Sequence, residues 1–144
     1  MACLQVFESN VPDFFVEGER AEFGTFLDEL PGPYFVIEDE AGAVIACGGF
    51  AESPGLADLC WGMVRRDLHR RGIGDLLLRE RLARITARAD IRLVRLDTTQ
   101  HTRAYYERAG FRVDRVTRDG YAPGMDRYDM LLELPRDPSP LPGI

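Results

Sequence analysis

The 144 residues suit one domain, and a 45% hydrophobic, 29% charged composition with 14 glycines and 9 prolines excludes disordered, fibrous and collagenous classes. Apolar runs reach four or five residues, as at 34–37 and 43–47, too short for a membrane span or a signal-peptide core. The net charge of -6 conceals an asymmetry: residues 1–60 hold 12 acidic residues against Arg20 alone, while residues 61–144 hold 17 arginines against 12 acids. Lysine is absent, an imbalance that GC-rich codon usage accounts for. Cys3, Cys47 and Cys60 are too few and too odd in number for a disulfide framework, so a reduced, cytoplasmic protein is expected.

In chain order, residues 3–7 alternate and predict a short first strand. Phe14, Phe15, Phe23, Phe26, Leu27 and Leu30 predict two short amphipathic helices within 12–30, broken near Gly18 and stopped by Pro31-Gly32-Pro33. Residues 34–38 and 44–50 flank a polar turn and predict a hairpin, with a third connected strand over 56–64. A helix follows over 72–89, with Ile73, Leu77, Leu78, Leu82, Ile85 and Ala89 as its apolar stripe and Arg79, Arg81, Arg84 and Arg88 outside it. Residues 92–98 predict a buried strand, 102–109 a short helix capped by Gly110, and 111–118 and 127–134 closing strands around a 120–124 loop. The order is that of one α/β domain over 1–135, built on a mixed sheet, with a frayed Pro-rich tail at 136–144.

His69-Arg70-Arg71-Gly72-Ile73-Gly74 lies between a predicted strand and a predicted helix. The first N–H groups of a helix have no internal partners, and glycines let the backbone approach an anion closely. Arg65, Arg66, Arg70 and Arg71 add positive charge around this turn. It is not a P-loop, since no Gly-Lys-Ser/Thr follows, and it lacks the third glycine of a dinucleotide fingerprint.

Together with Val64 before it and Tyr106-Glu107-Arg108-Ala109-Gly110-Phe111 after the next strand, this stretch resembles the GNAT N-acetyltransferase superfamily. The superfamily's phosphate loop reads Gln/Arg-x-x-Gly-x-Gly/Ala; here His69 and Arg66 depart from the usual Gln/Arg and Pro, which touches the side-chain contribution but not the backbone one. The resemblance implies a mostly antiparallel mixed sheet of about seven strands, splayed at a cofactor cleft and flanked by about four helices. It implies acetyl-CoA in a wedge between residues 59–64 and 92–98. Backbone groups of Met63 and Val64 would meet the pantetheine arm, and His69, Arg70, Arg71, Gly72, Ile73, Gly74 and Asp75 would hold the pyrophosphate. Tyr106 would stand near the thioester sulfur, and Arg108 belongs to the same cofactor-facing motif. A homodimer is a family-level expectation.

The implied chemistry is acetyl transfer to a primary amine of a small molecule or peptide, by direct attack in a ternary complex. An alkylamine with pKa about 10.4 is neutral in roughly one molecule in 2500 at pH 7, so a base or a desolvating pocket must remove its proton. A tyrosine is a weaker acid than a thiol, by about 2 kcal/mol of transfer energy, so Tyr106 is expected to donate a hydrogen bond to the departing thiolate. Its other reading is a core aromatic. Glu52 and Asp58, flanking the third hairpin-connected strand, are candidate bases, with Asp97 a third; each is also readable as a solvated charge. The competing functional class is a non-catalytic acyl-CoA-binding or regulatory domain.

Two histidines and three scattered cysteines give no zinc spacing, and no nucleophile triad emerges, so no metal is expected. Cys47 and Cys60 read as core, Tyr105 as packing, and Trp61 as core or as a wall of the acceptor pocket. The arginines of 72–89 are interleaved with Asp75 and Glu80 in an acidic chain, which argues against nucleic acid.

Overall fold

The computed structural model describes residues 2–135, and the predicted tail at 136–144 lies outside them. The described residues form helices α1 (Ala2–Ser9), α2 (Arg20–Glu29), α3 (Ile73–Thr86) and α4 (Arg103–Arg108). Their strands are β1 (Tyr34–Glu38), β2 (Val44–Ser53), β3 (Leu56–Val64), β4 (Leu93–Thr98), β5 (Arg112–Ala122) and β6 (Met125–Glu133). One six-stranded sheet results, in the order β1-β2-β3-β4-β6-β5.

Six strands rather than seven follow from the start of the chain. Residues 3–7 are helical, because Cys3, Val6, Phe7 and Asn10 fall at the i, i+3, i+4, i+7 spacing of one helix face. Val6, Phe7 and Asn10 are buried there, and each apolar side chain contributes about 1.5–3 kcal/mol. A five-residue window could not separate that pattern from alternation. Of the two helices predicted within 12–30, the first is absent, residues 10–14 forming turns, and the second is a 3₁₀ turn at Glu17–Glu19 running into α2. The predicted 120–124 loop is also corrected, since β5 and β6 run on to a turn at Pro123-Gly124.

β2 is buried without a break from Ile45 to Phe50, since the sheet is covered on both faces. On one face Val6, Phe7, Phe23, Cys47 and Met63 pack with Tyr34 and Trp61. On the other, Phe50, Leu59, Leu78, Ile85, Val94 and Met130 pack together under α3. Ser9 and Asp13 tie the N-terminal segment to the far end of β3, accepting from the Arg66 N–H at 3.0 Å and from its Nη1 at 2.7 Å.

One correction concerns α3. Arg81 is not on the solvent side: it is 2% exposed and lies in line with Leu77, Leu78 and Ile85.

Candidate active site

β3 and β4 are parallel neighbours, and they pair over Leu56–Asp58 and Leu93–Arg95. Beyond that point β3 leaves. Cys47 of β2 pairs with Met63 and Gly49 with Cys60, so Trp61 and Gly62 together stand opposite Gly48 as a β-bulge. Trp61 adopts φ 47°, in the left-handed region, and its carbonyl accepts a 2.8 Å hydrogen bond from the Tyr34 hydroxyl. The bulge adds local twist and turns the strand away from β4. The gap opens into a cleft of about 870 Å³ between Gly62, Met63 and Val64 on one side and Thr99, Thr102, Tyr105 and Tyr106 on the other.

The strand-to-helix loop closes one end of this cleft. Arg70 at φ 66° and Gly72 at φ 82° both adopt left-handed backbone, so the peptide groups around Arg71 curl into a concave turn. A Cβ placed on Gly72 would meet nothing within 4 Å, which marks open space beside the loop. Leu76 N–H donates to the Gly72 carbonyl at 3.1 Å as the first bond of α3, so the N–H groups ahead of it have no helical acceptor. His69, Arg70, Gly72, Gly74, Asp75 and Arg108 line the cleft, whereas Arg71 and Ile73 do not. Arg70 and Arg71 are exposed at its mouth.

The departure at His69 has a definite geometry. Its Nε2 lies 2.8 Å from the Val64 carbonyl oxygen, which also accepts a 2.9 Å bond from Asn10 Nδ2. A carbonyl only accepts, so Nε2 carries the proton. The Val64 carbonyl is therefore engaged twice, by Asn10 and by His69. Phe14, an unpredicted wall, packs edge-on to the rings of His69 and His101 at 5.0 and 6.0 Å.

Tyr106 lines the cleft and stacks edge-on with Tyr105 and Phe111, at centroid distances of 5.0 and 5.8 Å. Its ring is thus anchored in the core while it faces the cleft. Tyr105 lines it too, and its hydroxyl is buried beside Asp75 without a hydrogen bond of good geometry. Burial, and then the Asp75 carboxylate, push its phenol above the usual range.

The predicted carboxylates separate. Glu52 is bound to Arg88 at 2.7 Å, and Asp58 grips Arg95 with two bonds of 2.8 and 3.0 Å; neither of them lines the cleft, nor does Asp97 or Glu19. Asp97 instead accepts from the Tyr121 hydroxyl, with Arg127 Nη2 at 3.8 Å. Cys60 and Asp97 each lie two residues beyond the last pair, Asp58 and Arg95, and Asp97 adds to the burial that raises the Cys60 thiol. Glu19 belongs to the same group, its carboxyl raised first by burial and further by Glu22 and Asp97. Glu19 and Tyr121 carry no motif and reach Asp97 only through the fold. Among the described residues no cluster of His, Cys, Asp or Glu could hold a metal ion, and no helix is long and apolar enough to cross a membrane.

The site is thus a sheet parted at a parallel seam, with a helix start turned toward the gap. The acetyltransferase (GNAT) domain family matches residues 31–113, and the chain belongs to that family. No curated protein sequence matches it. Among solved structures it is similar to a Desulfovibrio desulfuricans protein assigned to the GNAT acetyltransferases, at 27% identity and TM-score 0.71 over 91% of both chains. It is similar at 26% identity and TM-score 0.71 to Naa20 of Chaetomium thermophilum in complex with a bisubstrate analogue, over 92% of this chain and 82% of that one. It shares its fold with an aminoglycoside 6'-N-acetyltransferase complexed with coenzyme A, at 12% identity and TM-score 0.75 over 94% and 91% of the chains.

Proposed function

We propose that this protein transfers an acetyl group from acetyl-CoA to a primary amine of a small molecule or peptide, by direct attack within a ternary complex. The observation that carries the reading is the wedge between β3 and β4, closed at one end by a concave glycine loop and the unpaired N–H groups of α3. That cradle fits a pyrophosphate, and the backbone from His69 to Asp75 would hold it while Arg70, Arg71 and Arg108 add positive charge. Acetyl-CoA supplies an activated thioester; Met63 and Val64 would line its arm and Tyr106 would donate a hydrogen bond toward its sulfur.

In this proposal the amine's proton goes to two carboxylates outside the cleft lining, Asp97 on β4 and Glu19, whose charges act on each other. Asp97, fixed by Tyr121, orients the incoming ammonium. Glu19, whose carboxyl is raised toward neutrality by burial, accepts the proton. Glu52 and Asp58 are held by Arg88 and Arg95 and serve the sheet.

The test is thiol release from acetyl-CoA across a panel of primary amines. Turnover with at least one amine class is expected. Acetyl-CoA binding with no turnover on any of them overturns the reading in favour of a non-catalytic acyl-CoA-binding domain.

A further inference from the structure

Arg81 has no role in the scheme above, yet it is the most deeply buried charge among the described residues. Its guanidinium lies under the sheet where β2 and β3 each carry a glycine. A Cβ on Gly62 would stand 2.7 Å from Arg81 Nη2 and 3.0 Å from Nη1, and one on Gly48 would stand 3.2 Å from Cζ. Both strands thus keep clear the space that the guanidinium occupies. Its bonding does not match that accommodation. Nη1 donates to the Gly49 carbonyl at a long 3.4 Å, Nε has no partner, and no carboxylate of the described residues forms an ion pair with it. A desolvated cation without a counter-ion is costly, and it is stabilised when an anion joins it.

Arg81 also lines the cleft, opposite Gly62 at the bulge. It lies eight residues along α3 from Ile73, about 12 Å from the phosphate cradle at 1.5 Å per residue. An anion that reaches it is therefore carried at the thioester end of the donor. We infer that Arg81 reads a carboxylate on the acyl group itself, so that the preferred donor is a short dicarboxylic acyl-CoA, of malonyl or succinyl type. The planar fork of an arginine suits a carboxylate, and a ground-state counter-ion neutralises the buried charge for the whole life of the complex. In the transfer the amine nitrogen bonds to the acyl carbonyl carbon, and the carbon–sulfur bond breaks with its electron pair leaving on sulfur. The amine proton passes to the base. The distal carboxylate is unchanged and appears on the product amide.

The inference rests on the proposed CoA reading of the cleft, and binding separates the two. The full chain is titrated calorimetrically, without acceptor, against CoA, acetyl-CoA, malonyl-CoA and succinyl-CoA. At least one carboxyacyl thioester is expected to bind about tenfold or more tightly than acetyl-CoA, the scale of a charge-assisted bond. Arg81→Met, which keeps the length and removes the charge, is expected to bring the three thioesters within about twofold of one another. Should that variant not fold, Gly62→Ala displaces the fork from its place and is expected to give the same levelling. Equal affinity of the wild type for all three thioesters overturns the inference, as does a preference that survives in the variant that folds. Failure of CoA itself to bind overturns the reading of the cleft instead.

Discussion

The Tyr34 hydroxyl donates across the sheet to the carbonyl of Trp61, at 2.8 Å, and so fixes a bulky residue in left-handed backbone at the point where β3 turns from β4. Without that bond a half-buried carbonyl is unsatisfied and the bulge has no lock. Tyr34→Phe is expected to cost about 1–3 kcal/mol, or roughly 3–10 °C of Tm. Its distinguishing effect is on the ligand: CoA affinity should fall along with stability, whereas a purely packing role leaves affinity unchanged. Calorimetry on the folded variant measures it.

At the other end of the cleft, acetyl-CoA should raise the Tm of the wild type, because it binds the folded state alone. Gly72→Val places a β-branched side chain at φ 82° and fills the open space beside the loop. The thermal shift should vanish. Gly72→Asn accepts left-handed backbone more readily and should melt closer to wild type while still losing most of the shift. Retention of the full shift in both variants removes the phosphate cradle from this loop.

Tyr106→Phe deletes one hydroxyl from a ring that its aromatic neighbours hold in place. Cofactor affinity should persist, and turnover should fall about 10- to 1000-fold. Steady-state kinetics with the acceptor found in the amine panel gives the answer; unchanged turnover makes Tyr106 a packing residue.

Glu19 gives a pH signature. A base works only when ionised, so kcat/KM should rise with pH through a carboxyl that burial raises from its free value, and Glu19→Gln should erase that limb. The same pair of carboxylates favours cationic amines. Their apparent KM should increase as salt rises above ~0.15 M, where the screening length is about 8 Å. An anionic preferred acceptor, or a KM indifferent to salt, counts against Glu19 and Asp97 as the acceptor's partners.

Alkaline stability follows from the core beneath α1. Burial pushes the Cys47 thiol from about 9 up to about 12, and pushes the Tyr34 phenol beside it above its usual range. Both groups hold their protons more tightly folded than unfolded. Their contribution is complete below about pH 8.5 and is lost as pH climbs toward 12, at up to about 1.4 kcal/mol per pH unit for each group. The Tm should decline from about pH 9 upward, and Cys47→Ala should flatten that decline. A Tm independent of pH between 8 and 11 contradicts it.

The glycine turn was legible because its signals are local: Gly72 takes left-handed backbone and opens α3 within the same few residues. β1 to β3 and α3 were legible for the same reason, as periodicity and turns lie close together in sequence. α1 was not, since Asn10, the residue that reveals its helical face, lies outside the alternating window. Arg81 was placed in solvent because a charge on an amphipathic helix usually is; the two glycines that make room for it sit on other strands, and only the β2–β3 register brings them together. Asp97 was already a candidate base in the sequence, whereas Glu19, which no motif marks, was hidden likewise. What separates Asp97 from Asp58 is the partner each finds, Tyr121 or Arg95, and topology chooses those partners.

The three-residue pairing of β3 with β4 also divides the molecule along its chain. α1, α2 and β1 to β3 come from residues 2–64, and β4 to β6 from residues 93–133, so the seam joins two continuous stretches with α3 as the strap between them. Two bonds from Arg92 and Leu93 to the Gly55 carbonyl reinforce it. A cofactor lying in the wedge touches both stretches and acts as a rivet. Cut in the loop between α3 and β4, the two fragments should rejoin far more readily with the cofactor present than without it, which makes this fold a natural frame for a ligand-gated split reporter.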